Sequence, residues 1–185
     1  MNADGTGRRQ VTSNSFSDNA VSWSPDGRRL AYRSIRDANF DIYVIGVDGT
    51  NERRLTTDEA IDLLPDWSPD GTRITFTRNR GGVSAIYTMS STDGSDVRQL
   101  TDDSLGAGLS VYSPDGSRIA FADNLCQICS DNDVWVMNAD GSGLRQVTNT
   151  PDLELPHSWS HDGTRVAAEF ARGHPAPWAR VTSPW

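Results

Sequence analysis

Short apolar runs separated by Asp-Gly turns recur along the whole chain. Trp23, Trp67, Tyr112 and Trp159 each stand three residues before the Asp of such a turn. A second run follows the turn: Leu30-Ala31-Tyr32, Ile74-Thr75-Phe76, Ile119-Ala120-Phe121 and the weaker Val166-Ala167-Ala168. A third run, Ile42-Tyr43-Val44, Ile86-Tyr87-Thr88 and Val134-Trp135-Val136, leads into a second Asp-Gly. A fourth closes the unit as Arg53-Arg54-Leu55-Thr56, Arg98-Gln99-Leu100-Thr101 and Arg145-Gln146-Val147-Thr148. These runs have strand length, and none shows a sustained helical period.

The two turn series keep one register. Asp26, Asp70, Asp115 and Asp162 of the first lie 44, 45 and 47 residues apart, and Asp4, Asp48, Asp93 and Asp140 of the second repeat those steps. In Ser-Pro-Asp-Gly, proline presets φ, Asp can bond nearby backbone, and Gly supplies a left-handed residue, so the motif is a structural hairpin turn. Four short antiparallel strands per repeat describe a blade of a β-propeller. The expected fold is all-β, with about four four-stranded antiparallel blades in a single domain, 1–185. Its parts are a blade-end strand at 1–12, blades at 13–56, 57–101 and 102–148, and an incomplete fourth blade at 149–185.

Several motif positions recur together: Trp-Ser-Pro-Asp-Gly at 23–27 and 67–71, the Ile119 to Phe121 strand, Ile42-Tyr43-Val44, Asp-Gly, and Leu-Thr at Leu55-Thr56 and Leu100-Thr101. This pattern resembles the TolB-like, or PD40, propeller repeat over nearly the whole chain. The resemblance implies a propeller that binds a protein, a peptide or a small ligand, in a bacterial periplasmic or exported setting. The same repeats occur in periplasmic scaffolds and as accessory domains of peptidases, in propellers that usually carry more than four blades.

Residues Met1 to Thr12 match Met137 to Thr148, so the chain opens with the end of a blade, and the last repeat lacks what that end supplies. With Trp178 to Thr182 as its third strand, the last blade could take the N-terminal segment as its outermost strand and close a four-bladed ring. The competing arrangement is a piece of a six- to eight-bladed propeller, whose exposed end blades would favour self-association.

Composition narrows the partners. A hydrophobic fraction of 36%, sixteen glycines and nine prolines suit a turn-rich globular protein. The formal net charge of -8, with arginines scattered through the repeats, argues against a nucleic-acid partner. No run reaches the roughly 18 apolar residues that span a bilayer, so membrane insertion is not expected.

Candidate chemistry concentrates in the blade-joining loops: Asp18 with Asn19, Asp58-Glu59 with Asp62, Asp102-Asp103, and Asp152 with Glu154. Oxygen ligands converging from several blades would suit a hard cation such as Ca2+, and Asp18, Asn19, Asp62, Asp102, Asp103 and Glu154 are the candidate metal ligands. The alternative is a solvated acidic rim, and no Asp-x-Asp-x-Asp-Gly calcium loop is present. Cys126 and Cys129 lie in an insertion between second and third strands. They fit a local disulfide in an exported protein, reduced thiols in the cytosol, or half of a zinc site that His157 or His161 would have to complete. His157 and His161 fit a degenerate last repeat, and His174 an exposed tail. No nucleophile elbow, His-Glu-x-x-His, Walker or dinucleotide motif occurs, and Ser24, Ser68 and Ser113 recur as turn residues. Three functions remain open: a binding module at the channel mouth, a Ca2+-dependent hydrolase of lactones or esters, and an accessory propeller of a larger peptidase.

Overall fold

The computed structural model describes residues 1–123, 132–171 and 178–181. Three repeats form four-stranded antiparallel sheets. Blade 1 holds β1 (Asp18–Trp23), β2 (Arg29–Arg36), β3 (Asn39–Gly46) and β4 (Arg53–Arg54). Blade 2 holds β5 (Ile61–Trp67), β6 (Arg73–Arg80), β7 (Val83–Ser90) and β8 (Arg98–Gln99). A 3-10 turn at Asp103–Leu105 leads into blade 3: β9 (Gly108–Tyr112), β10 (Arg118–Ala122), β11 (Val134–Asn138) and β12 (Arg145–Gln146). Blade 4 has three strands among the described residues, β13 (Leu153–Trp159), β14 (Val166–Ala171) and β15 (Trp178–Val181), and β15 pairs with β14 as the expected third strand.

Blades stack face to face, and this explains why their middle strands read as continuous apolar runs rather than as alternation. In Ile119-Ala120-Phe121, Ile119 and Phe121 pack with Ile86 and Leu100 of blade 2, while Ala120 packs with Val166 and Ala168 of blade 4. Blades 1 and 2 meet through Ala31, Ile42, Val44 and Leu55 on one side and Trp67, Ile74, Phe76 and Met89 on the other. Ile42, Ile74, Phe76 and Phe121 are fully buried, each contributing roughly 1.5–3 kcal/mol of burial free energy.

The Ser-Pro-Asp-Gly turn is self-contained. Ser24 Oγ donates to Asp26 Oδ1 at 2.6 Å and accepts from Arg29 N at 2.9 Å, and Asp26 Oδ1 accepts from Arg28 N at 3.0 Å. The same set recurs at Ser68, Ser113 and Ser160. The Leu-Thr motif also has a defined task. The Thr56, Thr101 and Thr148 hydroxyls accept from the N–H of Ile42, Ile86 and Val134, tying each fourth strand to the third where regular pairing ends.

The second Asp-Gly series serves packing between blades. Gly94, at φ 76°, lies directly under the Leu55 carbonyl, and a Cβ there would overlap that oxygen. A Cβ on Gly141 would meet the Leu100 carbonyl oxygen at 2.9 Å, and one on Gly49 the Val11 carbonyl oxygen at 3.0 Å. The last contact corrects one expectation. Residues 1–12 contain no strand and do not join the sheet of β13, β14 and β15. Val11 instead packs beside Tyr32, Tyr43 and Ile45, and Arg9 bonds to the Val47 carbonyl. The N-terminal segment therefore takes, on blade 1, the seat that Leu55 takes on blade 2. Inner strands pack in the sequence β1–β5, β5–β9, β9–β13, and among the described residues no comparable packing joins β13 to β1.

Candidate binding face

Each blade has its innermost strand first, so the β2–β3 type hairpins and the blade-joining loops share one face and both Asp-Gly series share the other. The inner strands are not regular. Each of β1, β5 and β9 shows a register shift against its partner, with a left-handed non-glycine residue at the same repeat position: Ala20 (φ 52°), Leu64 (φ 52°) and Leu109 (φ 55°). Such bulges re-aim side chains and carry local strain. The matching position of β13 is Pro156, beside its own register shift.

Beyond the bulge in β5 sits Asp66, whose role the repeat pattern alone did not expose. Its Oδ1 accepts from Ser22 Oγ of β1 at 3.0 Å and its Oδ2 from Tyr112 N of β9 at 3.0 Å. One carboxylate thus joins three consecutive blades. Burial pushes its pKa up against the lowering effect of those hydrogen bonds. The other repeats carry Ser22, Val111 and Ser158 at this position, so the signal was a departure from the repeat rather than a motif.

Asp18, Asp62 and Glu154 occupy one repeat position at the loop-face end of the inner strands, with Ala107 in blade 3. Their surroundings differ. Asp62 is fully buried and forms a two-pronged pair with Arg78, Nε to Oδ1 at 2.7 Å and Nη2 to Oδ2 at 2.8 Å. Asp58 accepts from Arg80 at 2.8 Å. The Ala60 N–H, then Arg78 and Arg80, hold Asp58 below the usual carboxylate range. Asp18 faces Ser34 across the sheet and accepts only from Asn14 Nδ2, at 3.1 Å. Glu154 Oε1 accepts from Thr150 Oγ1 at 3.3 Å. Asp18 Oδ1 and Glu154 Oε2 are buried without a hydrogen-bond partner among the described residues.

The remaining candidate ligands are locally engaged. Asn19 Oδ1 accepts from Arg33 Nε. Asp102 caps the 3-10 turn through Ser104 N at 2.8 Å, and Asp103 accepts from Gln99 Nε2 at 2.7 Å. Among the described residues no three His, Cys, Asp or Glu side chains come together as a metal-binding group. The six candidates are thus spread around the rim. His157 lies 3.1 Å from Glu169 on the surface, and His161 is exposed. Cys126, Cys129 and His174 lie outside the described residues.

The loop face of blade 2 carries a cavity of about 450 Å3, lined by Asp58, Glu59, Ile61 and Arg80 with the glycine pair of the β6–β7 hairpin. Ile61 is 39% exposed and the neighbouring Val83 45%. A polar rim around exposed aliphatic groups suits contact with a polypeptide or a small amphipathic ligand rather than covalent chemistry.

Four-stranded antiparallel blades stacked through their faces around bulged inner strands define a β-propeller. The chain belongs to the TolB beta propeller domain family, PD40, which matches residues 2–123. Among solved structures it is similar to TolB from Acinetobacter baumannii (TM-score 0.82, 21% identity, 98% of this chain and 45% of that one). It is similar also to a TolB-type structure from Agrobacterium tumefaciens (TM-score 0.70, 32% identity, 84% of this chain and 58% of that one). An oligogalacturonate lyase from Vibrio parahaemolyticus shares the fold at 13% identity, with TM-score 0.71 and 95% and 54% of the two sequences covered. The chain therefore spans about half the length of these structures. No curated protein matches it. No helix among the described residues is long and apolar enough to cross a membrane.

Proposed function

We infer that this propeller is a non-catalytic recognition module that binds a protein or peptide segment on its loop face, in an exported setting. The observation that carries the reading is the contrast at the blade 2 cavity. Of the carboxylates there, Asp58 and Asp62 are spent on Arg78 and Arg80 and Glu59 stays on the exposed rim, while Ile61 and the adjacent Val83 are left exposed. Exposed aliphatic side chains beside a fixed charged rim supply contact area with little ordering cost. Selection of a random-peptide library on the immobilised protein tests this. Enriched peptides should bind saturably and lose roughly tenfold or more in affinity with Ile61→Asp. No enrichment over a blank surface, or binding indifferent to Ile61→Asp, would contradict it.

A Ca2+-dependent hydrolase is the second reading, favoured by the unpartnered buried oxygens of Asp18 and Glu154. On that reading Ca2+ raises the melting temperature by mass action, and EDTA abolishes turnover of lactone or ester substrates. Absence of both effects would leave recognition alone standing.

A further inference from the structure

On the face that carries the Asp-Gly turns, each of the first three blades has one arginine opening its second strand and another opening its fourth. In blade 2 these are Arg73 and Arg98, and a carboxylate joins them. Asp96 accepts from Arg73 Nη1 at 2.8 Å and from Arg98 Nε at 2.9 Å, and its carbonyl accepts from Arg73 Nη2 at 2.8 Å. The bonds from Arg98 and then Arg73 hold Asp96 below the usual carboxylate range.

Blade 1 repeats the frame without the charge. Arg29 and Arg53 match Arg73 and Arg98, and Asn51 stands where blade 2 has Asp96. Both residues are left-handed, φ 57° for Asn51 and 51° for Asp96, so the backbone is alike. Arg28 adds a third guanidinium where blade 2 has Thr72.

The nearby acids do not stand in for Asp96: Asp26 attracts Arg28 and Arg29 across the first turn, but its Oδ1 is taken by Ser24 Oγ and Arg28 N and it forms no ion pair with either guanidinium. Asp48 Oδ1 is taken by Thr50 N and Oγ1, at 3.0 and 2.8 Å. Glu52 is held by Arg36, at 2.8 and 2.9 Å, and by Tyr32. Among the described residues Arg28, Arg29 and Arg53 have no ion pair, and Arg29 rests its guanidinium over Trp67 at 4.6 Å. Together with Asn51, Val44 and the two engaged acids Asp48 and Glu52 they line a cavity of about 730 Å3.

We propose that this cavity binds a carboxylate ligand, whose anionic group takes the place of the Asp96 side chain of blade 2. Arg29 and Arg53 present guanidinium N–H groups to its two oxygens, and Arg28 adds charge at the mouth. Val44 gives an apolar wall for the carbon stem behind the carboxylate. The carboxylate can be an acidic side chain or the free C-terminus of a peptide. This site lies on the face opposite the blade 2 cavity and does not depend on recognition there.

Isothermal titration of the whole protein with succinate, with acetyl-Asp-amide and with acetyl-Gly-Gly carrying a free C-terminus tests the proposal and separates the two sources. At least one probe should bind saturably. Asn51→Asp places the blade 2 residue on a backbone that already accommodates it, and should cut affinity roughly tenfold or more while leaving the fold intact. Arg53→Ala should do the same. No saturable binding by any of the three probes, or Asn51→Asp affinity within threefold of the unaltered protein, would overturn the proposal.

Discussion

Blades 1 and 2 share their strands, turns and bulges, yet they balance charge in opposite ways. In blade 2 every central arginine has an acid: Arg78 has Asp62, Arg80 has Asp58, and Arg73 and Arg98 share Asp96. In blade 1 the position of Arg78 is Ser34, so Asp18 has no arginine in the matching place, and the position of Asp96 is Asn51, so no acid bridges Arg29 and Arg53. The repeat thus sets the backbone, and its exceptions set the chemistry. An unbalanced group in one blade is informative because the neighbouring blade shows the partner that the same frame accepts.

The frame itself can be broken first. Gly94→Ala combines a left-handed backbone with overlap against the Leu55 carbonyl, and should cost about 4 kcal/mol or more. Urea denaturation would read this as loss of cooperative unfolding or a large drop in midpoint. Next comes the charge balance of blade 2. Asp62→Ala strips buried Arg78 of its two-pronged partner, leaving only Asp58 at 3.6 Å, and should cost about 3 kcal/mol by the same measurement. The matching change in blade 1, Asp18→Ala, should move stability by less than about 1 kcal/mol, since Asp18 has only Asn14 as a partner. Equal costs at the two sites would erase the contrast between the blades.

A pH-dependent effect is expected at Asp66. Its pKa in the fold lies above the usual value of 3.8, because burial penalises the charged form. The stability it contributes is therefore present below 3.8 and is lost as pH rises through its raised value in the fold. Asp66→Asn keeps a neutral acceptor for Tyr112 N or Ser22. Relative to the unaltered protein it should gain stability as pH goes from 4 to 7. Denaturation midpoints for both proteins at the two pH values would check the sign.

What was legible in the sequence was what is local. The Ser24–Asp26 turn completes its hydrogen bonds within six residues, so its motif announced the hairpin, and the apolar runs announced blades buried on both faces. The second Asp-Gly series looked like another turn, because the Leu55 carbonyl that requires Gly94 comes from the preceding blade. The seat of Val11 on blade 1 was missed for the same reason: matching Met1 to Thr12 with a blade end identified the segment but not the neighbour it packs against. At the site, Asp18, Asn19, Asp62 and Glu154, read from the sequence as loop residues, belong to the inner strands β1, β5 and β13. Arg78 and Arg80, the partners of Asp62 and Asp58, are fixed by the register of β6 on β5, which residue counting along one strand does not reveal. Asp66 and Asn51 were visible only as departures from their repeat positions.

The central claim is that blade 1 is open to an anion at the place where blade 2 is closed by its own Asp96. Arginine Nε–Hε NMR spectra recorded during a succinate titration test it blade by blade. Resonances of Arg29 and Arg53 should shift in a saturable way while those of Arg73 and Arg98 stay in place. Equal shifts in both pairs, or none in either, would contradict the account.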